Sequence, residues 1–294
     1  MIAWHQTAGR LSRFALAAFA LLAGPIAART AEPVTYPFQF QAGLIFVQVA
    51  CPGSPKPLEF LLDSGAEASV IDLRAARRLH LERGQAVTVR GVTGTSRGYW
   101  PEHLRATLGE VPLPTNYLAM DLASLGAACH HHVDGLIGAE FFAGRVVRIN
   151  FTHRTLELLD ASPATNAEDE VLPLQVTAQR LRVPVTVAGL GSAWARLDTG
   201  CASALHWTIA PAATGSPATP EVAVGVGVTS EQVRENNQTV HLGRLALANI
   251  PTGLHPEKLL TDETGLLGSG LLSRFSVVTI DTLTGRLLLT GLRP

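Results

Sequence analysis

Charge is scarce in this chain of 294 residues. Asp, Glu, Lys and Arg make up 16% of it, against roughly a quarter in ordinary soluble domains, and 23 basic residues nearly cancel 24 acidic ones. A protein that binds nucleic acid or an anionic membrane surface through charge carries a basic excess or patch. The composition therefore argues against both partners, while 47% hydrophobic content supplies enough apolar residues for two cores.

Cysteine is also rare, with Cys51, Cys129 and Cys201 as the three examples. An odd number permits at most one intrachain disulfide. Cys51 with Cys129 is a weak candidate pair because both lie in the first half of the chain, and we favour free, buried thiols instead. No function is assigned to them.

The apolar run FALAAFALLAG, at residues 14–24, is too short for a transmembrane helix, which needs roughly 20 residues. Arg10 and Arg13 precede it and small residues follow it, as in a secretory signal peptide. We therefore predict a signal peptide at residues 1–28, with a plain anchor or a buried helix as alternatives. The expected product is exported, to the periplasm or the medium, without stable membrane insertion once the signal is removed.

The rest of the chain is rich in patterns typical of β-strands. Predicted strands lie within PFQFQAGLIFVQVA (37–50), EFLL (59–62), TVRGV (88–92) and NYLAM (116–120). One helix is predicted over 72–81, with Asp72 as its N-cap. The polar stretch 161–170 lacks apolar periodicity and is the best linker.

The order of signals starts again after this linker. ARLDTG follows a strand-like segment as FLLDSG does earlier, and a GLLG segment later matches an earlier GLIG segment. Gly138 follows Asp63 by 138 − 63 = 75 positions, and Gly268 follows Asp198 by 268 − 198 = 70. Two copies of one β-rich lobe explain this recurrence. The predicted organisation is a signal peptide at 1–28, an N-terminal lobe at 33–160, a linker at 161–170 and a C-terminal lobe at 171–294.

Each copy thus carries an Asp-(Ser/Thr)-Gly turn after an apolar strand and, some seventy residues later, two aliphatic residues and a glycine. The residues are Asp63-Ser64-Gly65-Ala66 with Leu136-Ile137-Gly138, and Asp198-Thr199-Gly200-Cys201 with Leu266-Leu267-Gly268. This pattern resembles the lobe of aspartic proteases, both the pepsin-like and the retroviral type. The likeness extends from about residue 37 to 290.

The resemblance implies an all-β fold of two similar β-barrel-like lobes with a few short helices. It also implies an aspartic endopeptidase whose catalytic residues, Asp63 and Asp198, meet across a pseudo-twofold axis and activate a water. Because one chain supplies both halves of the site, the implied enzyme is a monomer that acts on an extended peptide or protein substrate without cofactor or metal. Supporting positions are Ser64, Gly65, Thr199 and Gly200 beside the dyad, with Gly138 and Gly268 packed beneath it.

Two carboxylates in contact suit this chemistry because they do not easily ionise together and so share one proton. One can accept a proton from water while the other donates one to the substrate. A noncatalytic peptide-binding protein of the same fold is the main alternative, and unrelated turns in a structural β protein are a third. Retention of both acids favours the enzyme.

Aspartic proteases also cover the cleft with a β-hairpin flap, and residues 89–100 are the candidate here, with its tip at Gly91, Val92, Thr93 and Gly94. Tyr99 and Trp100 lie too far from Gly94 to be equated with the flap tyrosine of pepsin-like enzymes. The stretch 222–233 occupies the same place in the second copy.

Three adjacent histidines, at 130–132, form another conspicuous cluster. Neighbouring residues alternate direction in extended chain, so the three do not easily ligate one ion, and no pattern of Cys and His partners accompanies them. We therefore predict a solvated loop and no metal site.

Overall fold

β-Strands dominate the computed structural model of the protein, which describes residues 34–91, 94–101, 103–209, 219–223, 231–256 and 263–293. The predicted signal peptide, residues 1–28, lies outside the described residues. Within the described ranges, no helix is long and apolar enough to cross a bilayer.

The strands of the first half are β1 (Thr35–Gln41), β2 (Leu44–Val49), β3 (Leu58–Leu62), β4 (Val70–Asp72), β5 (Ala86–Gly91), β6 (Gly94–Tyr99), β7 (Thr107–Leu108), β8 (Val111–Pro112), β9 (Leu118–Met120), β10 (Gly135–Ile137), β11 (Val146–Asn150) and β12 (Thr155–Leu159). Those of the second half are β13 (Glu170–Pro173), β14 (Gln175–Thr177), β15 (Arg180–Val187), β16 (Gly191–Asp198), β17 (Leu205–Thr208), β18 (Thr219–Ala223), β19 (Glu231–Leu242), β20 (Leu245–His255), β21 (Gly265–Gly268), β22 (Phe275–Asp281) and β23 (Arg286–Leu292). The helices are short: α1 (Leu73–Arg78), α2 (Ala123–Ala128), α3 (Ser269–Leu272) and a 3-10 turn (Ala139–Phe141).

Two stretches of sheet repeat the same strand order. The first is β1-β2-β3-β10-β4-β9-β6-β5, and the second is β14-β15-β16-β21-β17-β20-β19-β18. The orientations also match, with parallel pairing at β3–β10 and β4–β9 in the first and at β16–β21 and β17–β20 in the second. In the second, an additional β15–β19 pairing curls the sheet on itself. The prediction of an all-β fold with two similar lobes is confirmed.

A sheet shared by both halves of the chain joins the two copies. β11 pairs antiparallel with β22, with Arg148 opposite Thr279. β12 and β23 flank these two strands, and β13 adds to β23 at the edge. Within the predicted linker, 161–170, residues 162–166 hold neither strand nor helix, and β13 begins at its last residue, Glu170. The lobe boundaries at 33–160 and 171–294 stay a prediction.

The helix predicted over 72–81 is observed as α1, which ends earlier, at Arg78. The Asp72 carboxylate accepts the N–H groups of Arg74 at 2.8 Å and Ala75 at 3.4 Å, as expected of an N-cap. His80 has a φ of 57°, a left-handed conformation that does not continue a helix. Helix α2 was not predicted, because its six residues show too little periodicity.

Cys51, Cys129 and Cys201 form no disulfide, so the weak candidate pairing of Cys51 with Cys129 is not formed. Cys51 and Cys129 are buried, and Cys201 is partly buried.

Strand β22 buries Ile280 completely in the shared sheet. We expect Ile280→Ala to lower the free energy of unfolding by about 2–4 kcal/mol, because it removes buried methylene groups and leaves a cavity. Leu283→Ala, in the adjacent turn where the leucine is 54% exposed, should change it by less than about 0.5 kcal/mol. Urea denaturation measures both, and equal effects would contradict the placement of β22 in the core.

Candidate active site

Asp63 and Asp198 occupy equivalent places at the carboxyl ends of β3 and β16. Each strand pairs in parallel with the aliphatic-Gly strand of its own copy, so that Leu62 lies opposite Ile137 and Asp198 lies opposite Gly268. The Asp63 N–H donates to the Ile137 carbonyl oxygen at 2.9 Å. The turns that follow both strands therefore leave their sheets from matching positions.

The two copies bring the carboxyl groups of Asp63 and Asp198 together, so that each lies against the turn of the other copy and each shifts the pKa of the other. Asp63 Oδ1 also accepts the N–H groups of Gly65 and Ala66, each at 3.0 Å. Asp198 Oδ1 accepts the N–H of Gly200 at 3.0 Å. Each carboxyl group is thus held by its own turn and by the aspartate of the other copy.

Glycine is required in both turns because each passes against the opposite aspartate. A Cβ added to Gly65 would overlap the Asp198 carboxyl group, and one added to Gly200 would overlap the Asp63 carboxyl group. Any larger residue would have to push the carboxyl groups apart. The two overlaps are equivalent to one another, as expected of a site with pseudo-twofold symmetry.

Ser64 and Thr199 lock the two turns together through four reciprocal hydrogen bonds. The Ser64 N–H donates to Thr199 Oγ1 at 2.9 Å, and the Thr199 N–H donates to Ser64 Oγ at 3.0 Å. The Ser64 hydroxyl donates to the Leu197 carbonyl and the Thr199 hydroxyl to the Leu62 carbonyl, both at 2.8 Å. Both side chains are almost fully buried, so water cannot replace these bonds.

Gly138 and Gly268 lie against the backbone of the turns that they were predicted to support. A Cβ on Gly138 would overlap the backbone of Ala68 and Ser69, and one on Gly268 would overlap the carbonyl oxygens of Cys201 and Ser203. In each copy, the residue that follows this glycine donates a backbone hydrogen bond to the aspartate turn. Ala139 N–H donates to the Ala66 carbonyl and Ser269 N–H to the Cys201 carbonyl, both at 2.8 Å.

Burial dominates the electrostatics of the pair. Loss of solvation raises the pKa of Asp63, although the N–H groups of Ala66 and Gly65, Asp198 and the charge of Arg196 oppose the shift. Burial and the adjacent charge of Asp63 raise the pKa of Asp198 to about 8. The raised pKa of Asp198 favours a pair that holds a proton, and with one proton on the pair one member can act as a base and the other as an acid.

An ion-pair network beside the dyad was missed by the sequence reasoning. Arg196 is almost fully buried and donates to Glu263 at 3.1 Å and to Glu67 at 3.2 Å. Arg182 also binds both oxygens of Glu263, and Arg180 binds Glu67 at 2.6 Å. Burial alone would raise the pKa of Glu67, but bonds from Arg180 and Arg196 hold it below its ordinary value. The sequence did carry one sign of this network, because Arg196 is a charged residue within the otherwise apolar strand segment that leads to Asp198.

Glu140 is a second residue that the sequence reasoning missed. Its Oε1 accepts the Ser69 N–H at 2.5 Å, beneath the first turn. Burial, with a contribution from the charge of Asp63, raises the pKa of Glu140. Its position in the second copy is taken by Gly270, so this carboxyl group belongs to one half of the site alone.

The candidate flap is a β-hairpin as far as it is described. β5 and β6 pair antiparallel up to Gly91 opposite Gly94, whereas Val92 and Thr93 lie outside the described residues. Tyr99 lies at the far end of β6, opposite Ala119. In the second copy, strands β18 and β19 form the corresponding hairpin, and residues 224–230 of the predicted stretch 222–233 are not among those described.

The three histidines at 130–132 contact different partners. His131 lies 3.2 Å from both Glu59 Oε1 and Gln41 Oε1, while His132 lies 2.9 Å from Asp134 Oδ1. His130 has a φ of 48° at the turn. Within the described part of the chain, no group of three or more His, Cys, Asp or Glu side chains is arranged to hold a metal ion.

Comparison with known proteins bears on the first copy. Residues 47–141 match a family model described as aspartyl protease. This stretch is about a third of the chain and extends from β2 through the Asp63 turn and Gly138 to the 3-10 turn. A search of curated proteins gave no match. The match supports an aspartyl protease family, without separating the pepsin-like from the retroviral type.

The Ser64–Thr199 lock predicts strong energetic coupling between the lobes. Ser64→Ala and Thr199→Val should each lower the free energy of unfolding by about 1–3 kcal/mol, because each leaves buried backbone groups unpaired. The double variant should cost less than the sum, by about 1 kcal/mol or more.

The matched control is the more exposed hydroxyl pair of Thr186 and Ser192, which are 2.7 Å apart across β15 and β16. The Thr186→Val and Ser192→Ala cycle should show coupling below about 0.5 kcal/mol. Both cycles are measured by urea denaturation, and additive effects at Ser64 and Thr199 would contradict the lock.

Proposed function

We propose that this protein is an exported, bilobal aspartic endopeptidase whose dyad consists of Asp63 and Asp198. The observation that carries the proposal is the approach of these two carboxyl groups, each against the glycine of the opposite turn and each at the same point of a repeated strand order. The family match to residues 47–141 supports the hydrolase class. The substrate is an extended peptide or protein that lies between the dyad and the β5–β6 hairpin.

Hydrolysis through a singly protonated pair needs no covalent intermediate. The ionised aspartate takes a proton from a water molecule while the oxygen of that water attacks the peptide carbonyl carbon. The protonated aspartate gives its proton to the carbonyl oxygen. A tetrahedral diol results, and the roles of the two acids are now exchanged. When the C–N bond breaks, one acid protonates the leaving nitrogen and the other takes a proton from the diol. The pair ends with one proton, ready for another cycle.

Both halves of this site lie in one chain, so we propose that the enzyme acts as a monomer. Export is proposed from the predicted signal peptide at residues 1–28. The near balance of charge offers no surface for nucleic acid.

Substitution of either aspartate tests the proposed function. Asp63→Asn and Asp198→Asn should each reduce kcat/KM for peptide cleavage by about a thousandfold or more, because an amide cannot replace a member of a proton-sharing pair. Asp160→Asn makes the same chemical change at an exposed position and should leave kcat/KM within about twofold of the wild type.

Cleavage of a random peptide mixture, read by mass spectrometry, supplies the measurement, with circular dichroism to verify folding. Full activity in a folded Asp63→Asn or Asp198→Asn variant would contradict the mechanism. Binding of peptides without cleavage by the wild type would instead favour the noncatalytic alternative.

The pH profile provides a second test. Activity needs one proton on the pair, so it should fall as the pH rises through about 8, the raised pKa of Asp198. It should also fall in acid, once Asp63 is protonated, and burial moves this limb above the ordinary pKa of an aspartate. The optimum of kcat/KM should therefore lie in weakly acidic to neutral solution.

The residues after the two glycines contribute to this profile. Strongly acid relatives carry a hydroxyl residue there, whereas this chain has Ala66 and Cys201, which donate no hydrogen bond or only a weak one from the side chain. Ala66→Ser combined with Cys201→Ser should move the acid limb to lower pH. A strongly acid optimum in the wild type, or an unmoved limb in the double variant, would contradict this account.

A further inference from the structure

Arg196 departs from the symmetry of the site. It lies two residues before Asp198 on β16, and its side chain is 5% exposed. The equivalent position in the first copy, two residues before Asp63, is the buried Leu61. A leucine carries no charge and donates no side-chain hydrogen bond. One half of the site therefore has a guanidinium group where the other half has an apolar side chain.

The guanidinium group reaches across the interface to the turn of the first copy. Arg196 Nη1 donates to the Gly65 carbonyl oxygen at 2.7 Å. The N–H of that same peptide group belongs to Ala66, and it donates to Asp63 Oδ1 at 3.0 Å. Arg196, the Gly65–Ala66 peptide and Asp63 thus form one chain of hydrogen bonds.

Hydrogen bonds that are joined in such a series strengthen one another. A charged donor at a carbonyl oxygen polarises the peptide and makes its N–H a better donor at the other end. A better donor to a carboxylate favours the ionised form of that carboxylate. The charge of Arg196 acts on both aspartates and also lowers the pKa of Asp198. The chain of hydrogen bonds, by contrast, ends at Asp63 alone, because Leu61 offers no such bond to the turn of the second copy.

The two glutamates that bind Arg196, Glu263 and Glu67, each bind a second arginine as well. Arg182 binds both oxygens of Glu263 and Arg180 binds Glu67, so neither glutamate depends on Arg196 alone. This network of three arginines and two glutamates carries one excess positive charge, and Arg196 is its member that acts on both aspartates. Glu140, in the 3-10 turn, is the remaining acidic group that interacts with the pair, since the charge of Asp63 contributes to the raised pKa of Glu140.

We infer that Arg196 is a positioning residue that makes the two aspartates unequal, so that Asp63 is the ionised member of the pair and Asp198 holds the proton. This inference deepens the proposed function and rests on it for its catalytic meaning. In that reaction, Asp63 takes the proton from the attacking water and Asp198 protonates the carbonyl oxygen of the substrate.

The test compares two arginines of the same network. Arg196→Gln removes the bond to the Gly65 carbonyl, while Arg182→Gln removes an equal charge and a contact with Glu263 but does not touch the turn. Carbon-13 NMR of the aspartate side-chain carboxyl carbons follows the titration in the whole protein. Asp63→Asn and Asp198→Asn spectra assign the two signals.

In the wild type, the Asp63 carboxyl should ionise first as the pH rises. Arg196→Gln should raise the pH of this first ionisation by about one unit, and Arg182→Gln should raise it by less than half as much. Ionisation of Asp198 before Asp63, or equal shifts in both arginine variants, would overturn the inference. Arg196→Lys keeps the charge without the planar fork of donors, so it should give a smaller upward shift. An unchanged titration in this variant would also count against the role of Arg196.

The NMR result does not depend on catalysis, so the two proposals fail in different ways. If the titrations behave as expected but peptides remain uncut, the proposed function is wrong and the positioning role stands. If peptides are cut, the acid limb of kcat/KM should move in Arg196→Gln by the same amount as the first NMR ionisation. Cleavage with an unmoved acid limb would overturn the inference alone.

Discussion

The site depends on holding two carboxyl groups in contact, which electrostatics opposes when both are charged. Two unit charges 4 Å apart repel by about 4 kcal/mol near a protein surface, and a shared proton removes that repulsion. The surrounding turns keep the groups together: Gly65 and Gly200 permit the approach, and the bonds between Ser64 and Thr199 fix it. Loss of solvation around these partly buried groups, together with their enforced contact, raises the pKa of Asp198.

Duplication explains how one chain builds such a contact. The same order of eight strands occurs twice, and each copy ends its first parallel pair at an aspartate turn. The shared sheet around β11 and β22 joins the copies. The repeated backbone nevertheless carries different side chains at equivalent positions. Leu61 in the first copy corresponds to Arg196 in the second, and Glu140 in the first corresponds to Gly270 in the second. In the proposed hydrolysis, which needs one base and one acid, we infer that differences of this kind suit the two halves to different roles within a common geometry.

Local patterns made the strands and the two Asp-(Ser/Thr)-Gly turns predictable from the sequence, while the catalytic role of those turns stays a prediction. The Asp-(Ser/Thr)-Gly turns and the aliphatic-Gly strands are short motifs whose meaning depends on their own residues and on a repeated spacing. The network of Arg196, Glu263 and Glu67 was not predictable in the same way, because its members are far apart in the chain and meet only after the lobes pack. Helix α2 was missed because tertiary contacts, rather than its own short sequence, define it. The pairing of β11 with β22 likewise depends on the assembled fold.

The central claim is that the pair formed by Asp63 and Asp198 activates water against a peptide bond. The most direct measurement incubates the purified protein with a random peptide mixture in oxygen-18 water, in mildly acidic solution, with and without a statine-type peptide that mimics the tetrahedral diol. The account predicts new carboxyl termini that carry the oxygen label and disappear when the mimic is present. An intact peptide mixture, or labelled cleavage that the mimic does not reduce, would contradict it.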